Sequence, residues 1–377
     1  MPVLKGVALA VPVLTAVAVT VAGSAAGVAL AAPPAHQANE TKSSLVPLSK
    51  VAPGWSIAEY SAATVNMAKH REKGKTTLYA VSPQGKKYPF FSWPASFPGT
   101  STFSVIDWSG DGQRVLVANF FNKFEEISLK TDKVINTFRL PAGIQAFSYT
   151  RPHGENILTS GPNGEGLRRY DLHGKLQKVF SKANFGGIDS PDGTSVILGT
   201  KSGLEVLGNS GGVVRRLRPP AGIGFCQPIR FWNRKTILAT CSKLHSVKPA
   251  RLWLFPAGGG KAAALTPQRS GRGPDLGDLD AWKLTSGVYL QAAGACGSEY
   301  VAGLSGKPIT LPGVRYGSDH IVTAHGANLL VQPENGCSAG AALVWFNPHT
   351  KHVAWVFRTP PNIIGIMAVA PFGRPLA

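Results

Sequence analysis

Short apolar runs recur along this chain at a nearly constant spacing. They are Val115-Leu116, Ile157-Leu158, Ile197-Leu198, Ile237-Leu238, Tyr289-Leu290 and Leu329-Leu330, and their second members lie 42, 40, 40, 52 and 40 residues apart. A period near 40 predicts a repeat architecture, because a unit of that length cannot bury its own apolar face and has to stack on its neighbours. A turn signal precedes each run: Ser109-Gly110-Asp111-Gly112, Pro152-His153-Gly154, Ser190-Pro191-Asp192-Gly193, Asn233-Arg234-Lys235, Thr285-Ser286-Gly287 and Ala324-His325-Gly326. Pro, Asp and Gly supply the fixed or positive φ values that reverse a strand. Apolar segments such as Phe103-Ser104-Val105-Ile106 and Phe147-Ser148-Tyr149 lie before these turns, so each repeat opens with an inner hairpin.

An outer hairpin completes each repeat. Its turns fall near Gln84-Gly85, Thr131-Asp132, His173-Gly174, Ser210-Gly211, Gly258-Gly259-Gly260, Ser305-Gly306 and Pro348-His349, seven in all. Six inner hairpins are internal, and the segment from Ile364 to Gly373 supplies a truncated seventh. The pattern predicts an all-β, seven-bladed β-propeller with four-stranded blades, six or eight blades being the alternatives. The leftover pieces predict its closure: residues 363 to 376 join the blade that holds the N-terminal strands. An α/β fold is excluded, since no 3.6-residue periodicity persists between the strands.

Before the first repeat, Lys5 and the apolar stretch from Gly6 to Ala32, with small residues at Ala29-Leu30-Ala31, predict a signal peptide over 1–31. The competing reading is an uncleaved anchor, which the length of the stretch would allow; the processing-like site decides for cleavage. Residues 32–50 are then a polar linker and 51–377 the propeller, placing the protein outside the cell or in its envelope with no membrane span after cleavage. Lys and Arg number 39 against 20 Asp and Glu, a formal charge of +19. That excess favours anionic surfaces. No compact basic run interleaved with aromatics suggests specific nucleic-acid binding.

The turn Asp189-Ser190-Pro191-Asp192-Gly193 before Val196-Ile197-Leu198 resembles the repeat of TolB-like, WD-like β-propellers, and Trp108-Ser109-Gly110-Asp111-Gly112 before Val115-Leu116-Val117 is a looser match. The other four turns keep at most the Gly. The resemblance covers residues 50 to 377 as architecture and implies a propeller that works by binding, often in the cell envelope. No TolB-type amino-terminal domain accompanies it. The long leader and the Ala-, Gly-, Pro- and Arg-rich composition resemble exported actinobacterial proteins.

Four Cys in an exported chain read as disulfides. Cys226 begins an inner strand and Cys241 ends its partner, so these two pair; Cys296 and Cys337 form the second bridge. A zinc site is disfavoured by the absence of a C-x-x-C pair. All four mark the face that carries the connections between blades and between second and third strands. Binding residues concentrate on such loops, and Arg218, Arg269, Arg272, Arg315 and Arg358 near them suggest an acidic ligand, against the blander reading of solvated charges. Asp275, Asp278 and Asp280 are the candidate ligands of Ca²⁺, the one cofactor entertained; otherwise none is expected. Two G-x-S-x-G matches, at Gly208 and Gly336, fall on a hairpin turn and on a presumed disulfide Cys, away from a strand-to-helix elbow. Gly258-Gly259-Gly260-Lys261 lacks the rest of a phosphate loop. His349 and His352 flank an outer turn, too few for a metal site, and Trp108, Tyr149, Trp232 and Trp282 suit packing between blades.

The function expected from sequence is a monomeric, non-catalytic binding or interaction module of the envelope or extracellular space, recognising an unknown protein or anionic envelope component. The alternative is a propeller hydrolase or lyase with its site at the loop-rich end of the central channel. Convergence there of His, Glu or Asp with Arg distinguishes the enzyme; small apolar and hydroxyl residues distinguish the binding module.

Overall fold

Strands of two to eleven residues follow one another with hardly any helix, as the 40-residue rhythm requires. The computed structural model describes residues 46–66, 71–94, 103–119, 122–161, 166–182, 186–243, 249–271, 276–294, 297–314, 318–334, 342–360 and 363–373, and counts below refer to these. After a short 3-10 turn at Leu48–Lys50 come β1 (Ser56–Asn66), β2 (Arg71–Lys73), β3 (Lys75–Val81), β4 (Lys87–Pro94), β5 (Phe103–Trp108), β6 (Arg114–Asn119), β7 (Lys123–Ser128) and β8 (Lys133–Arg139). Next are β9 (Gln145–Tyr149), β10 (Asn156–Ser160), β11 (Leu167–Asp171), β12 (Leu176–Ser181), β13 (Gly187–Asp189), β14 (Ser195–Thr200), β15 (Gly203–Gly208), β16 (Val213–Leu217), β17 (Phe225–Asn233) and β18 (Thr236–Ser242). The chain ends with β19 (Arg251–Pro256), β20 (Ala263–Ala264), β21 (Asp278–Leu284), β22 (Gly287–Ala293), β23 (Glu299–Gly303), β24 (Ser318–His325), β25 (Asn328–Glu334), β26 (Leu343–Phe346), β27 (Val353–Phe357) and β28 (Ile363–Pro371).

Antiparallel pairing groups them into the sheets of a β-propeller. β5 to β8, β9 to β12 and β24 to β27 each form a four-stranded sheet in sequence order, and β21 to β23 form one of three. The N-terminal sheet runs β28, β1, β3, β4, with β2 added against the far end of β1. Ser56 lies opposite Pro371 and Ile57 opposite Ala370, so the C-terminal strand closes the ring on the N-terminal one. β13 to β20 form a single eight-stranded sheet. The sheets therefore number six, five of them with four or more strands, and not seven separate four-stranded ones as expected. The cause is local: one parallel bridge, Gly203 to Phe225, fuses the ladders β13–β16 and β17–β20.

The first strand of each group lies nearest the axis, and these strands touch one another around it: β28 with β5, β5 with β9, β13 with β17, β21 with β24 and β24 with β28. Apolar side chains fill the gaps between successive groups. Trp108 packs with Ile57 and Leu78, Tyr149 with Leu116 and Phe138, Trp232 with Leu290, and Trp282 with Ile321 and Phe346. The inner aromatics are thus packing between sheets, with Trp108 and Tyr149 fully enclosed.

The Ser-x-Asp turns are held by their own side chains. Ser109 Oγ donates to Asp111 Oδ1 at 2.5 Å and accepts the Arg114 N–H at 2.9 Å, while Asp111 accepts the Gln113 N–H at 3.0 Å. Ser190 and Asp192 repeat the arrangement one sheet beyond the next. Both turns wedge against Arg151-Pro152 between β9 and β10. A Cβ at Gly110 would overlap the Pro152 carbonyl, and one at Gly193, where φ is +68°, would overlap that of Arg151. Arg151 ties the three sheets together: its guanidinium donates to Asp107 at 3.1 and 3.3 Å and to the Trp108 carbonyl at 3.0 Å, and its N–H donates to Asp189 at 3.0 Å.

Cys226 and Cys241 lie opposite each other on β17 and β18 and are joined by a disulfide. Such a bond fits an oxidising, extracellular compartment. Cys296 and Cys337 lie outside the described residues. Among the described residues no helix is long and apolar enough to cross a membrane.

Two stability measurements follow. Arg151→Ala leaves the buried Asp107 carboxylate without its partner and should cost about 3–5 kcal/mol in urea unfolding; Asp107→Asn together with Arg151→Met should recover much of that, and a single-variant loss under about 1 kcal/mol would show the pair to be dispensable. Glu59, fully buried on β1, accepts the Val105 N–H at 3.1 Å. Burial pushes its carboxyl from the ordinary 4.5 up to about 8, against the lowering effect of that bond and of Ser104. The folded state therefore holds the proton more tightly than the unfolded state, and stability should fall as pH rises from about 4.5 to about 8. Glu59→Gln should flatten that slope and be the more stable form at pH 8 by roughly a few kcal/mol; an unchanged pH profile would contradict the assignment.

Candidate functional site

Charged residues cluster where β21–β23 and β24–β27 meet near the axis, at the end carrying the connections between sheets. His320 is the third residue of β24, the innermost strand of its sheet. Its Nδ1 lies 2.9 Å from Glu299 Oε2 at the start of β23. Ser318 Oγ accepts the Glu299 N–H at 2.8 Å, fastening the beginnings of the two strands to each other. Gln332 faces His320 across the β24–β25 ladder and donates to Glu334 Oε1 at 2.9 Å. Gln291 on β22 holds the backbone on both sides of His320. Its Nε2 donates to the Asp319 carbonyl at 2.7 Å, and its Oε1 accepts the Ile321 N–H. The imidazole is thus placed from two sheets and gripped on either flank.

On the other side of β21, where it meets the β17–β20 ladder, Arg230 of β17 donates to the Asp280 carboxylate and to the Ala281 carbonyl, and its guanidinium lies 3.6 Å from the centroid of the Trp282 ring. Asp280 is close enough to act on the His320 charge. Burial pulls the His320 imidazole down, but the Glu299 hydrogen bond and the negative charges of Glu299, Glu334 and Asp280 outweigh it and raise its affinity for the proton above the ordinary. Burial raises Glu334 and Asp280 against the opposing charges of His320 and Arg230, and lifts Asp319 to about 6. A histidine with raised proton affinity among carboxyls whose acidity is weakened is the kind of perturbed cluster that acid–base sites use. The His320 side chain keeps 53% of its surface exposed against 21% for Glu299, so the ring edge away from Nδ1 is open to a ligand while Glu299 is set behind it.

The residues singled out by sequence are not brought together. Arg269 is buried, donating from Nε to both Asp278 oxygens at 2.9 and 3.0 Å and from its other nitrogens to the Ser305 and Leu304 carbonyls. It is a clip between the preceding connection and the β21–β23 sheet and not a free cation. Arg218 is exposed after β16, and Arg358 is exposed with its guanidinium 4.7 Å from the Trp355 centroid. Arg272 and Arg315 lie outside the described residues, as does Asp275. Asp278 is spent on Arg269 and Asp280 on Arg230, on either side of a register shift in β21. Among the described residues no three His, Cys, Asp or Glu are disposed to hold a metal ion. Glu299, His320, Glu334 and Arg230 were missed. The available signal was a polar opening, Ser318-Asp319-His320, on an otherwise apolar inner strand.

No protein-family model matches the sequence, and no curated protein matches it. Among solved structures the chain is similar to a prolyl endopeptidase, from a study of two such enzymes and their inter-domain dynamics, at a TM-score of 0.49 and 14% identity over 80% of this chain and 50% of that one. It is also similar to an oligogalacturonate lyase in complex with manganese, at a TM-score of 0.49 and 12% identity over 84% of this chain and 96% of that one. The chain spans about half the length of the endopeptidase. A likeness of this degree transfers no residue or substrate. The β-propeller architecture stands; the TolB-like resemblance rests on its two turns alone. The expectation of a non-catalytic binding module is corrected on the site itself: His320 with Glu299, and Arg230 with Asp280, converge near the axis, which is the arrangement expected of the propeller-enzyme alternative and not of a channel lined by small apolar and hydroxyl residues.

Glu299→Gln should lower the His320 titration midpoint, since burial then acts with less opposition. Ring-proton NMR against pH measures it. The sign is that of a raised histidine: the stabilisation from the pair is complete at low pH and is lost as pH rises through the folded-state midpoint. An unmoved midpoint would show that the 2.9 Å contact carries no charge coupling.

Proposed function

We propose that this protein is a propeller enzyme, a hydrolase or lyase, whose acid–base residue is His320 at the loop-rich end of the axis. The observation that carries the reading is the His320 Nδ1 to Glu299 Oε2 contact of 2.9 Å on a half-exposed imidazole. An acceptor at Nδ1 fixes the tautomer and steadies the imidazolium, leaving Nε2 to take a proton from water or from a substrate carbon and return it to the leaving group. Glu334 and Asp280 tune the proton affinity through their charges, and Gln291 positions the strand. Arg230 neutralises Asp280 and braces the floor against Trp282.

The same reading takes β13–β16 and β17–β20 as two blades joined by their single bridge, which makes a ring of seven. It retains the TolB-like character of the two Ser-x-Asp turns, export by a cleaved leader, and a second disulfide between Cys296 and Cys337.

The test is turnover. The purified chain is assayed on peptide amides, followed by amine release, and on uronate oligomers, followed by the ultraviolet absorbance of an unsaturated product. Turnover is expected on one class, and His320→Ala should lower kcat about 10²–10⁴-fold with an unchanged melting curve. Full activity in that variant, or no turnover of either class by the parent chain, overturns the proposal.

A further inference from the structure

The outermost strands of three successive strand groups share an unusual surface. Val134 and Ile135 on β8, Leu176 and Val179 on β12, and Val213 and Val214 on β16 are between 37% and 66% exposed. They make up six of the eight exposed large apolar side chains among the described residues. Their placement repeats. The first apolar residue of each set lies two positions after the outer hairpin turn at Asp132, Gly174 or Gly211. Val134, Leu176 and Val213 therefore sit at one height on the rim, at the end opposite His320, with Val179 further along its strand. Soluble proteins seldom leave such residues together without a partner.

The charge around them selects the partner. β8, β12 and β16 read KVINTFR, LQKVFS and VVRRL, five basic residues and no acidic one. Arg215 is occupied by the Ala257 carbonyl and Arg216 by Glu205. Lys133 and Lys178 stand beside the apolar pairs, and Lys175 lies at the turn before Leu176. Of the nearby acids, Asp171 accepts the His173 and Lys175 N–H groups and the Gln177 amide and Glu205 faces Arg216, while Asp132 at the first turn keeps one carboxylate oxygen buried without a partner. Shallow aliphatic side chains among long cationic ones match the boundary of an anionic bilayer, where the aliphatics enter the acyl edge and the lysines stay with the headgroups. A protein strand adding to one of these edges would use a single sheet and leave the other two unexplained.

We infer that the rim formed by β8, β12 and β16 is a docking surface for an anionic lipid bilayer. Docked there, the chain holds the His320 end away from the membrane. The surface is independent of the catalytic reading, and either stands if the other fails.

Co-sedimentation of the full chain with vesicles tests it, comparing phosphatidylcholine alone with phosphatidylcholine carrying one quarter phosphatidylglycerol. Binding to the anionic vesicles is expected, with about a tenfold or larger loss of partitioning in Ile135→Ser/Val214→Ser and in Lys133→Gln/Lys178→Gln. Because every variant keeps the apolar N-terminal segment, its contribution cancels in the comparison. Partitioning unchanged in both double variants overturns the proposal. So does a serine variant whose self-association falls in light scattering while its vesicle binding holds, which assigns the rim to a second copy of the chain.

Discussion

The strands nearest the axis have one edge without a continuous strand partner, and the backbone N–H and C=O groups there must be satisfied some other way. The neighbouring sheet does this with side chains. Glu59 accepts from Val105, Asp107 from Tyr149, and Asp189 from Arg151; Arg230 donates to Ala281, and Gln291 bonds on both sides of His320. Each bond joins two strand groups near their inner edges, so it fixes how one is rotated against the next. Apolar packing fills the gaps but tolerates small rotations; a buried carboxylate facing an amide does not. The relative placement of Glu299, His320 and Glu334, contributed by three strands of two sheets, depends on this constraint.

Glu59 and Gln291 show two solutions to one problem. Both lie on the second strand of their sheets and reach the inner strand of the next. Glutamine meets the donor and the acceptor without charge. Glutamate meets only the donor, through Oε2, and burial raises its affinity for the proton. Around Arg151 the charge is instead kept and neutralised by Asp107, inside a turn closed off by Gly110 and Gly193.

The architecture was legible because it is written in periodicity and turn chemistry. The recurrence of Ile-Leu and Val-Leu pairs is the inner second strand, the Asp-Gly turns are the reversals, and the leftover C-terminal run is the strand that meets Ser56. The Cys226 to Cys241 pairing followed from hairpin register. The merging of two ladders was not legible, because one bridge at Gly203 and Phe225 leaves no compositional mark. Neither was the role of Arg269, since a sequence does not say whether an arginine near a loop points outward or folds back onto Asp278. The His320 cluster was missed for a related reason: its members come from separate strands, and attention to the loops passed over polar residues inside the strands. Asp278 and Asp280 attracted a cation reading through their spacing, whereas the arginines that claim them come from outside that stretch.

The seam between Ser56 and Pro371 sets the order of assembly. The innermost strand of the first sheet, β28, follows every other strand described, so the axial edge of β1 has no partner and the ring cannot shut until β28 has been made. Contacts separated by more than 300 residues form late and slowly. Until β28 docks, the ring stays open at this seam.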